Sequence, residues 1–159
     1  MLIVGTVVDQ ATKVLAFTYL KERPIVVIPR AFDLVYTENP GGLFGMMPGA
    51  GAILAVLSIV AFAFIVWLRY SKSSEKWPPV GLGMLGAGAV GNFIDRAFNG
   101  GSVRDFIFLH VGSHFEWPAF NVADALIVFG CAVVIYASLM KGRQADQAKA
   151  AVGRAKHRD

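Results

Sequence analysis

Asp105 and Asp124 are the two side chains in this sequence best placed for acid–base chemistry. Asp105 lies in a connecting segment shortly after two glycines, and Asp124 lies near the start of a long apolar block. Neither has a lysine or arginine at helical spacing, although Arg104 directly precedes Asp105. Two carboxyl groups that meet where the dielectric constant is low cannot both ionise easily, so they share one proton. We therefore treat these two aspartates as one candidate pair.

Such a pair can do several kinds of chemistry. One carboxylate can take a proton from water while the other carboxyl group donates one, which hydrolyses a peptide bond without a metal. The same two acids can equally bind a cation or relay protons in a small membrane transporter. Spacing alone leaves these alternatives open. A non-catalytic scaffold is the weakest of them, because it does not explain why Asp105 lies off the helices.

Other polar residues recur at helical spacing inside apolar blocks, where charge is costly and rarely idle. Residues three or four positions apart share one face of a helix. We expect each such stripe to face the interior of a helix bundle, with Asp95 and Arg96 paired with each other and Asp9 paired with Lys13. The stripes consist of Asp9, Gln10 and Lys13, then Asn92, Asp95 and Arg96, and then Asn121 and Asp124.

The elements that must position these residues are long and apolar. The chain of 159 residues is 55% hydrophobic and only 16% charged, whereas a soluble chain is about 25% charged. The apolar residues fall in four blocks at about 1–20, 50–68, 79–98 and 118–140. Since a bilayer core needs about 20 apolar residues per helix, we predict an all-α integral membrane protein with four transmembrane helices.

The third block is rich in glycine. Gly83, Ala87 and Gly91 are spaced four apart, which predicts a face of small residues that a neighbouring helix can approach closely.

The two connections beside the candidate pair are rich in β-branched and aromatic residues, and they predict short strands at 24–28, 32–36, 106–111 and 115–117. We expect these strands to form a small extracytoplasmic β-sheet, or cradle, on the outer surface. Trp117 and Pro118 are expected at the interface and at the start of the fourth helix.

Lysine and arginine set the predicted orientation. Nine of them flank the second and fourth blocks on one side, and four lie in the other two connections. By the positive-inside rule both termini are cytoplasmic and the candidate pair lies at the outer face. We predict a four-helix transmembrane domain at 1–140 and a basic cytoplasmic tail at 141–159.

Composition also argues against other classes. A single cysteine, Cys131, allows no disulfide within the chain, and His110 and His114 have no third ligand beside them for a metal. The net charge of +4 comes from residues that flank apolar blocks, so we expect no nucleic-acid partner. We expect a monomer that contacts membrane lipids.

Five short motifs follow one another along the chain. They are Asp9-Gln10-Ala11-Thr12-Lys13, Asn39-Pro40-Gly41-Gly42-Leu43-Phe44, Gly91-Asn92-Phe93-Ile94-Asp95-Arg96, Val103-Arg104-Asp105-Phe106-Ile107 and Phe120-Asn121-Val122-Ala123-Asp124. In this order, among four apolar blocks, they resemble the bacterial lipoprotein signal peptidases, also called signal peptidase II. The second is similar to that family's Asn-x-Gly-Ala-Ala-Phe loop, with Gly42 and Leu43 in place of two alanines. The fourth resembles its Val-x-Asp-Phe-Ile block.

The resemblance implies that Asp105 and Asp124 are the catalytic aspartates of an intramembrane aspartyl endopeptidase in the bacterial cytoplasmic membrane. It implies a prolipoprotein substrate whose cysteine carries diacylglycerol, cleaved just before that cysteine, and no cofactor. The residues expected to line the site or hold the substrate are Asp9, Gln10, Lys13, Asn39, Gly41, Asn92, Asp95, Arg96 and Asn121.

Overall fold

The computed structural model describes residues 1–41, 47, 49–72, 76–112 and 114–156, with side chains described up to residue 144 and at residue 147. Within these residues the chain forms four helices and four strands. They are α1 (Leu2–Leu20), β1 (Ile25–Ile28), β2 (Phe32–Asn39), α2 (Gly51–Tyr70), α3 (Pro79–Phe98), β3 (Val103–Val111), β4 (Phe115–Phe120) and α4 (Val122–Lys156).

The helices expose apolar side chains and bury charged ones, the reverse of a soluble protein. Ile3, Ile53 and Val128 are each more than 60% exposed, whereas Asp9 and Lys13 are fully buried. Among the described helices, α2 and residues 122–144 of α4 are long and apolar enough to cross a membrane. The polar stripes of α1 and α3 lower the hydropathy of those two helices. This distribution of exposure fits a protein whose outer solvent is lipid.

Small residues let α3 lie at the centre of the bundle, where it packs against α1, α2 and α4. A Cβ atom added at Gly83 would lie 2.9 Å from the Cβ of Met1, and one added at Gly5 would lie 2.8 Å from the Cβ of Ala87. A Cβ atom at Gly91 would collide with the carboxylate of Asp9. The predicted face of small residues is therefore confirmed, and α1 runs parallel to α3 along it.

The opposite face of α3 meets α4, which runs antiparallel to it. A Cβ atom at Gly81 would lie 2.9 Å from Val134, near the far end of the contact. A Cβ atom at Gly88 would collide with the carbonyl oxygen of Ala123, at the first turn of α4. The backbones of α3 and α4 are thus in close contact over about three turns, and the first turn of α4 lies beside the polar end of α3.

The strands form one antiparallel sheet in the order β1-β2-β3-β4. Thr37 of β2 pairs with Asp105 of β3, and Ile107 of β3 pairs with Phe120 of β4. A cluster of Ala16, Leu20 and Phe106 joins the sheet to the last turns of α1. The predicted short strands are present, and the sheet lies at the end of the bundle where α1 and α3 finish and where α2 and α4 begin.

The start of the fourth helix differs from the prediction. Pro118 lies inside β4, and α4 begins at Val122 instead of at 118. Because β4 is an edge strand, the missing N–H of a proline is tolerated there. At the other end α4 continues as one helix to Lys156, past the predicted boundary at 140.

Candidate active site

Asp105 lies on β3 with 2% of its surface exposed. Its Oδ1 accepts a hydrogen bond of 2.6 Å from the side-chain amide of Asn121, and its Oδ2 accepts one of 3.2 Å from the amide of Asn39. The alternation of the strand places Asp105 on the buried face between Val103 and Ile107. The sheet therefore positions this carboxyl group at the end of the helix bundle.

Asn39 is itself oriented by the turn that follows β2. The backbone N–H of Gly41 donates to Oδ1 of Asn39 at 3.0 Å, which leaves the amide nitrogen of Asn39 to face Asp105. Gly41 thus acts through its backbone, as in an Asx turn. The substituted positions Gly42 and Leu43, and Phe44 after them, lie outside the described residues.

Asp124 is fixed by the cap of α4. The N–H of Asp124 donates to Oδ1 of Asn121 at 3.0 Å, and the N–H of Asn121 donates back to Oδ2 of Asp124 at 3.3 Å. This reciprocal arrangement is a capping box, in which residues three apart satisfy two unpaired amides of a helix start. The spacing of Asn121 and Asp124 follows from this cap. The other oxygen of Asp124 accepts a bond of 2.8 Å from the side chain of Asn92.

Two asparagines connect the two acids, which we call the carboxylate pair. Asn121 is fully buried, donates to Asp105 and caps the turn that carries Asp124. Its amide nitrogen also lies 3.3 Å from Oδ1 of Asn92, which holds Asp124 from the other side. The carboxylate pair is thus surrounded by neutral amide donors from β2, α3 and α4.

Behind these amides lies a group of buried charges. Lys13 of α1 is fully buried and lies 2.9 Å from Oδ2 of Asp9 and 3.5 Å from Oδ2 of Asp95. Its ammonium also donates to Oδ1 of Asn92 at 3.1 Å. Oδ1 of Asp9 accepts the N–H of Ala123 at 2.8 Å, in the first turn of α4, where a helix favours negative charge. The predicted pairing of Asp9 with Lys13 is present.

The predicted pairing of Asp95 with Arg96 is wrong. Asp95 is held by Arg104, whose guanidinium lies 2.6 Å from Oδ1 and 3.2 Å from Oδ2, and whose backbone N–H donates to Oδ2 at 2.8 Å. Adjacent residues on a helix point in different directions, and Arg96 instead turns towards the cavity described below. We call Asp9, Lys13, Asp95 and Arg104 the ionic quartet.

Sequence reasoning did not include Arg104 among the site residues. One signal could have found it: the buried stripes of α1 and α3 contain two acids but only one lysine, once Arg96 is assigned elsewhere. The second acid needs another cation. Gln10 completes the group, because its amide nitrogen lies 3.0 Å from Asp9 and from the Gly91 carbonyl while its oxygen accepts from Arg104 at 3.2 Å.

The carboxylate pair opens into a cavity of about 510 Å³. Its polar end holds the pair together with Asn39, Asn92 and Arg96. The remaining walls are apolar and come from β3, β4 and α4. They consist of Val103, Leu109, Trp117, Pro118, Ala119, Phe120, Ala125, Ile127, Val128 and Phe129. Val128 and Phe129 are more than 60% exposed, so the apolar end reaches the lipid-facing surface of α4.

Burial raises the pKa of Asp105 to about 7, and the negative charge of Asp124 acts in the same direction. The hydrogen bonds from Asn121 and Asn39 and the charge of Lys13 oppose this rise. A carboxyl group with such a pKa still carries a proton in a large share of molecules near pH 7, and it can donate that proton to a reacting group. The pair can therefore act as an acid and a base on one water molecule.

The structure brings the predicted site residues together: most belong to the carboxylate pair, its amide surroundings or the ionic quartet, Gln10 contacts the quartet, and Arg96 lines the cavity. The whole cavity, at about 510 Å³, exceeds the volume of about 300 Å³ at which small-molecule sites begin. The chemistry that this geometry allows is the activation of water against a polar bond that enters from an apolar surface.

Comparison with known proteins identifies the family. A family model described as signal peptidase (SPase) II matches residues 1–140. The lipoprotein signal peptidase of Thermodesulfovibrio yellowstonii is 40% identical over 135 residues, which cover 84% of this chain and 88% of that protein. The protein of the same name from Desulforapulum autotrophicum is 42% identical over 136 residues, covering 80% of this chain and 82% of its own.

A solved structure agrees with the fold. The structure described as a bacterial membrane enzyme determined by the in meso method at 2.3 Å resolution is 29% identical, with a TM-score of 0.75. The likeness covers 88% of this chain and 85% of that one. Because the family model spans the bundle, the sheet and every residue of the site, the chain belongs to the signal peptidase II family.

Proposed function

We propose that this protein is an aspartyl endopeptidase of the bacterial cytoplasmic membrane, which removes signal peptides from diacylglyceryl-modified prolipoproteins by cleaving before the modified cysteine. Membership of the signal peptidase II family supports the removal of lipoprotein signal peptides. The observation that carries the aspartyl mechanism is the carboxylate pair, linked through Asn121 at the polar end of an otherwise apolar cavity. The same evidence disfavours the transporter or proton relay.

In the proposed reaction a water molecule lies between Asp124 and Asp105. Asp124 takes a proton from this water as the oxygen attacks the scissile carbonyl, and Asp105 donates its proton to the carbonyl oxygen. The resulting gem-diol collapses as Asp124 returns its proton to the leaving amine and Asp105 recovers one from the diol. One water is consumed, and the pair ends with a single proton, as it began. The raised pKa of Asp105 supports its role as the initial acid.

The neighbouring donors suit an extended substrate backbone. Asn39 lies next to Asp105 in the cavity wall, and Arg96 lines the same wall close to the pair. Within the described residues the Nε of Arg96 is buried without a hydrogen-bond partner, and a rotation that turns the guanidinium into the cavity would offer this donor to a substrate carbonyl oxygen. The apolar walls, which reach lipid at Val128 and Phe129, suit the diacylglyceryl group. The other predicted site residues position these groups.

We further infer the arrangement in the membrane. Residues 1–140 form the enzyme domain and 141–159 a basic cytoplasmic tail. All four helices span the bilayer, because α1 buries its polar stripe and exposes apolar side chains, while α3 buries its polar stripe at the centre of the bundle. The excess of lysine and arginine at the end opposite the sheet supports cytoplasmic termini and an active site at the outer face. One chain supplies every named site residue, which supports a lipid-embedded monomer.

Cleavage of a lipid-modified substrate tests the proposal. The purified protein in detergent is incubated with a prolipoprotein that carries diacylglycerol on its cysteine, and the loss of the signal peptide is followed by mass spectrometry. We expect a new N-terminus at the modified cysteine. The same prolipoprotein without diacylglycerol is the matched control and should resist cleavage. Equal cleavage of both would remove lipid recognition from the proposal, and cleavage of neither would remove the peptidase activity.

A further inference from the structure

Arg104 lies on β3, but its side chain contacts α1 and α3 in the interior of the bundle. Its guanidinium forms a fork on both oxygens of Asp95 and also donates to Gln10 of α1. Its side chain is 17% exposed, whereas that of Asp95 is fully buried. Planar two-nitrogen contacts of this kind fix geometry as well as charge. The residue directly before Asp105 is thereby attached to two helices.

The charges of the ionic quartet balance. Asp9 and Asp95 contribute two negative charges, and Lys13 and Arg104 contribute two positive ones. Without Arg104 the buried group would hold one uncompensated negative charge, and the ammonium of Lys13 would have to serve both acids. Removing one partner of a buried pair is costly for this reason. Arg104 therefore determines how Lys13 is shared.

Lys13 connects the quartet to the carboxylate pair. Its ammonium donates to Oδ1 of Asn92, and the amide nitrogen of the same Asn92 donates to Asp124. An ammonium has only donors, so it forces the oxygen of Asn92 towards itself and the amide nitrogen towards Asp124. If Lys13 moved towards Asp95, this orientation would be lost.

From this geometry we propose that Arg104 is a positioning residue, which neutralises Asp95 so that Lys13 can hold Asn92 against Asp124 while the adjacent Asp105 is fixed in the wall of the cavity. The inference rests on the proposed peptidase function for its kinetic consequences. It assigns a role to Arg104, which occupies the variable position of the Val-x-Asp-Phe-Ile block next to Asp105. It also predicts that the net charge of the quartet, and not Arg104 alone, determines the placement and the proton affinity of the carboxylate pair.

Three variants of one charge cycle test this. Arg104→Met leaves the quartet with net charge −1, Asp95→Asn leaves it with +1, and the double variant restores zero. The charged groups facing the pair are Lys13 from α1 and Arg96 from α3, so a change in Lys13 must alter the pH dependence of cleavage. We expect Arg104→Met to lower kcat about tenfold with KM changed less than about twofold, since its action is on the placement of the acids.

The pH profile separates this role from a purely structural one. An added negative charge favours protonated carboxyl groups, so the kcat profile of Arg104→Met should move about half a unit to higher pH, and that of Asp95→Asn should move to lower pH. The double variant should return to the wild-type profile and exceed both single variants in kcat. Arg69→Met, which removes an exposed charge on α2, is the matched control and should leave the profile unchanged.

Two outcomes would overturn the inference: an unchanged profile in folded Arg104→Met, or a double variant whose loss of kcat is the product of the two single losses. If Arg104→Met does not fold, the double variant and Arg104→Lys, which retains the charge without the fork, still decide it. Arg104→Lys should retain the wild-type profile with a lower kcat. The melting temperatures of the same variants in detergent form an independent cycle, in which the double variant should be more stable than Arg104→Met. That cycle needs no substrate, so it distinguishes failure of this inference from failure of the peptidase proposal.

Discussion

The protein buries two kinds of aspartate within one small region. In the ionic quartet, Asp9 lies 2.9 Å from Lys13 and Asp95 lies 2.6 Å from Arg104. In the carboxylate pair, Asp105 and Asp124 instead accept hydrogen bonds from amide groups. Among the described residues, no lysine or arginine nitrogen is recorded within 4 Å of either acid of the pair. The same side chain is thus placed in two different electrostatic settings.

These two settings show which buried acids can react. A carboxylate whose charge is matched by a cation is held in one state and contributes to structure. A carboxyl group held by neutral donors beside another acid keeps a proton that it can give away, and here it also faces a cavity. Burial alone does not identify a reactive acid, because Asp105 is as deeply buried as Asp9 and Asp95. Whether a buried acid can react depends on whether its partner is a cation or a neutral donor.

The largest effect should come from Asp105→Asn and Asp124→Asn, which keep shape and remove the transferable proton. We expect each to lower cleavage of the lipid-modified substrate by about a thousandfold or more, since general acid–base catalysis contributes about 10²–10⁴-fold and each acid acts in both steps. Melting temperature and gel filtration in detergent should show a folded protein. Asp33→Asn, on the same sheet and paired with His110, is the matched control and should retain activity.

Normal cleavage by both asparagine variants would end the distinction between reactive and structural acids. Loss of folding in both would instead mean that the carboxylate pair, like the ionic quartet, is needed for the structure. Only variants that are inactive and well folded support a reactive role for Asp105 and Asp124.

The next largest effect should be on stability, at the quartet. Lys13→Met leaves two acids with only Arg104 between them, and removal of one partner from a buried ion pair costs about 3–5 kcal/mol. We expect a clear fall in melting temperature, larger than that of either asparagine variant of the pair. The double variant Asp9→Asn with Lys13→Met restores the charge balance and should recover part of the loss. A Lys13→Met protein as stable as the wild type would show that the quartet does not hold the bundle.

Much of the fold could be predicted because its signals are local. Apolar blocks, the small residues of the third block and the β-branched runs each depend on a few neighbouring positions, and each matches an element of the structure. The start of α4 could not be located from Pro118, because a proline is tolerated both at a helix start and on an edge strand. Tertiary pairing of β3 with β4 decides between these two uses.

The site was predictable in its members but less so in its pairings. Spacing on one helix indicates which residues share a face, so Asp9 was correctly joined to Lys13. It cannot indicate which residue of a strand will cross to a helix, so the partnership of Asp95 with Arg104 was missed and Arg96 was placed there instead. The roles of the individual site residues in catalysis stay predictions that the variants above address.

The raised pKa of Asp105 also makes the stability of the protein depend on pH. The pKa of Asp105 is raised from 3.8 to about 7 by burial and by Asp124. Between these two values the folded state binds more protons than the unfolded state, so the free energy of unfolding falls as pH rises through this window. Below it both states are protonated and the contribution is absent, and above it the full cost is present, on the order of 4 kcal/mol.

Asp105→Asn removes this contribution. The melting temperature of the variant relative to the wild type should therefore be higher at pH 8 than at pH 4, and the difference should change mainly between these values. Glu22→Gln, an exposed acid after α1, is the control and should show no such trend. A difference that is constant across the pH range would mean that Asp105 binds as many protons in the folded as in the unfolded state, so that burial does not raise its pKa.

The smallest effect should come from the amides that distinguish the pair from the quartet. Asn39→Ala removes the 3.2 Å hydrogen bond to Oδ2 of Asp105, a bond that lowers the pKa of that acid. The pKa of Asp105 should therefore rise by a fraction of a unit, and the alkaline limb of the kcat profile should move to higher pH by the same amount, with kcat reduced several-fold. Tyr36→Phe, which removes only the exposed bond from Tyr36 to Glu38 on the same strand, should leave the limb in place. If the limb of Asn39→Ala does not move, or moves to lower pH, the amide is not setting the proton affinity of the pair, and the contrast with the ionic quartet rests on the cavity and on Asp124 alone.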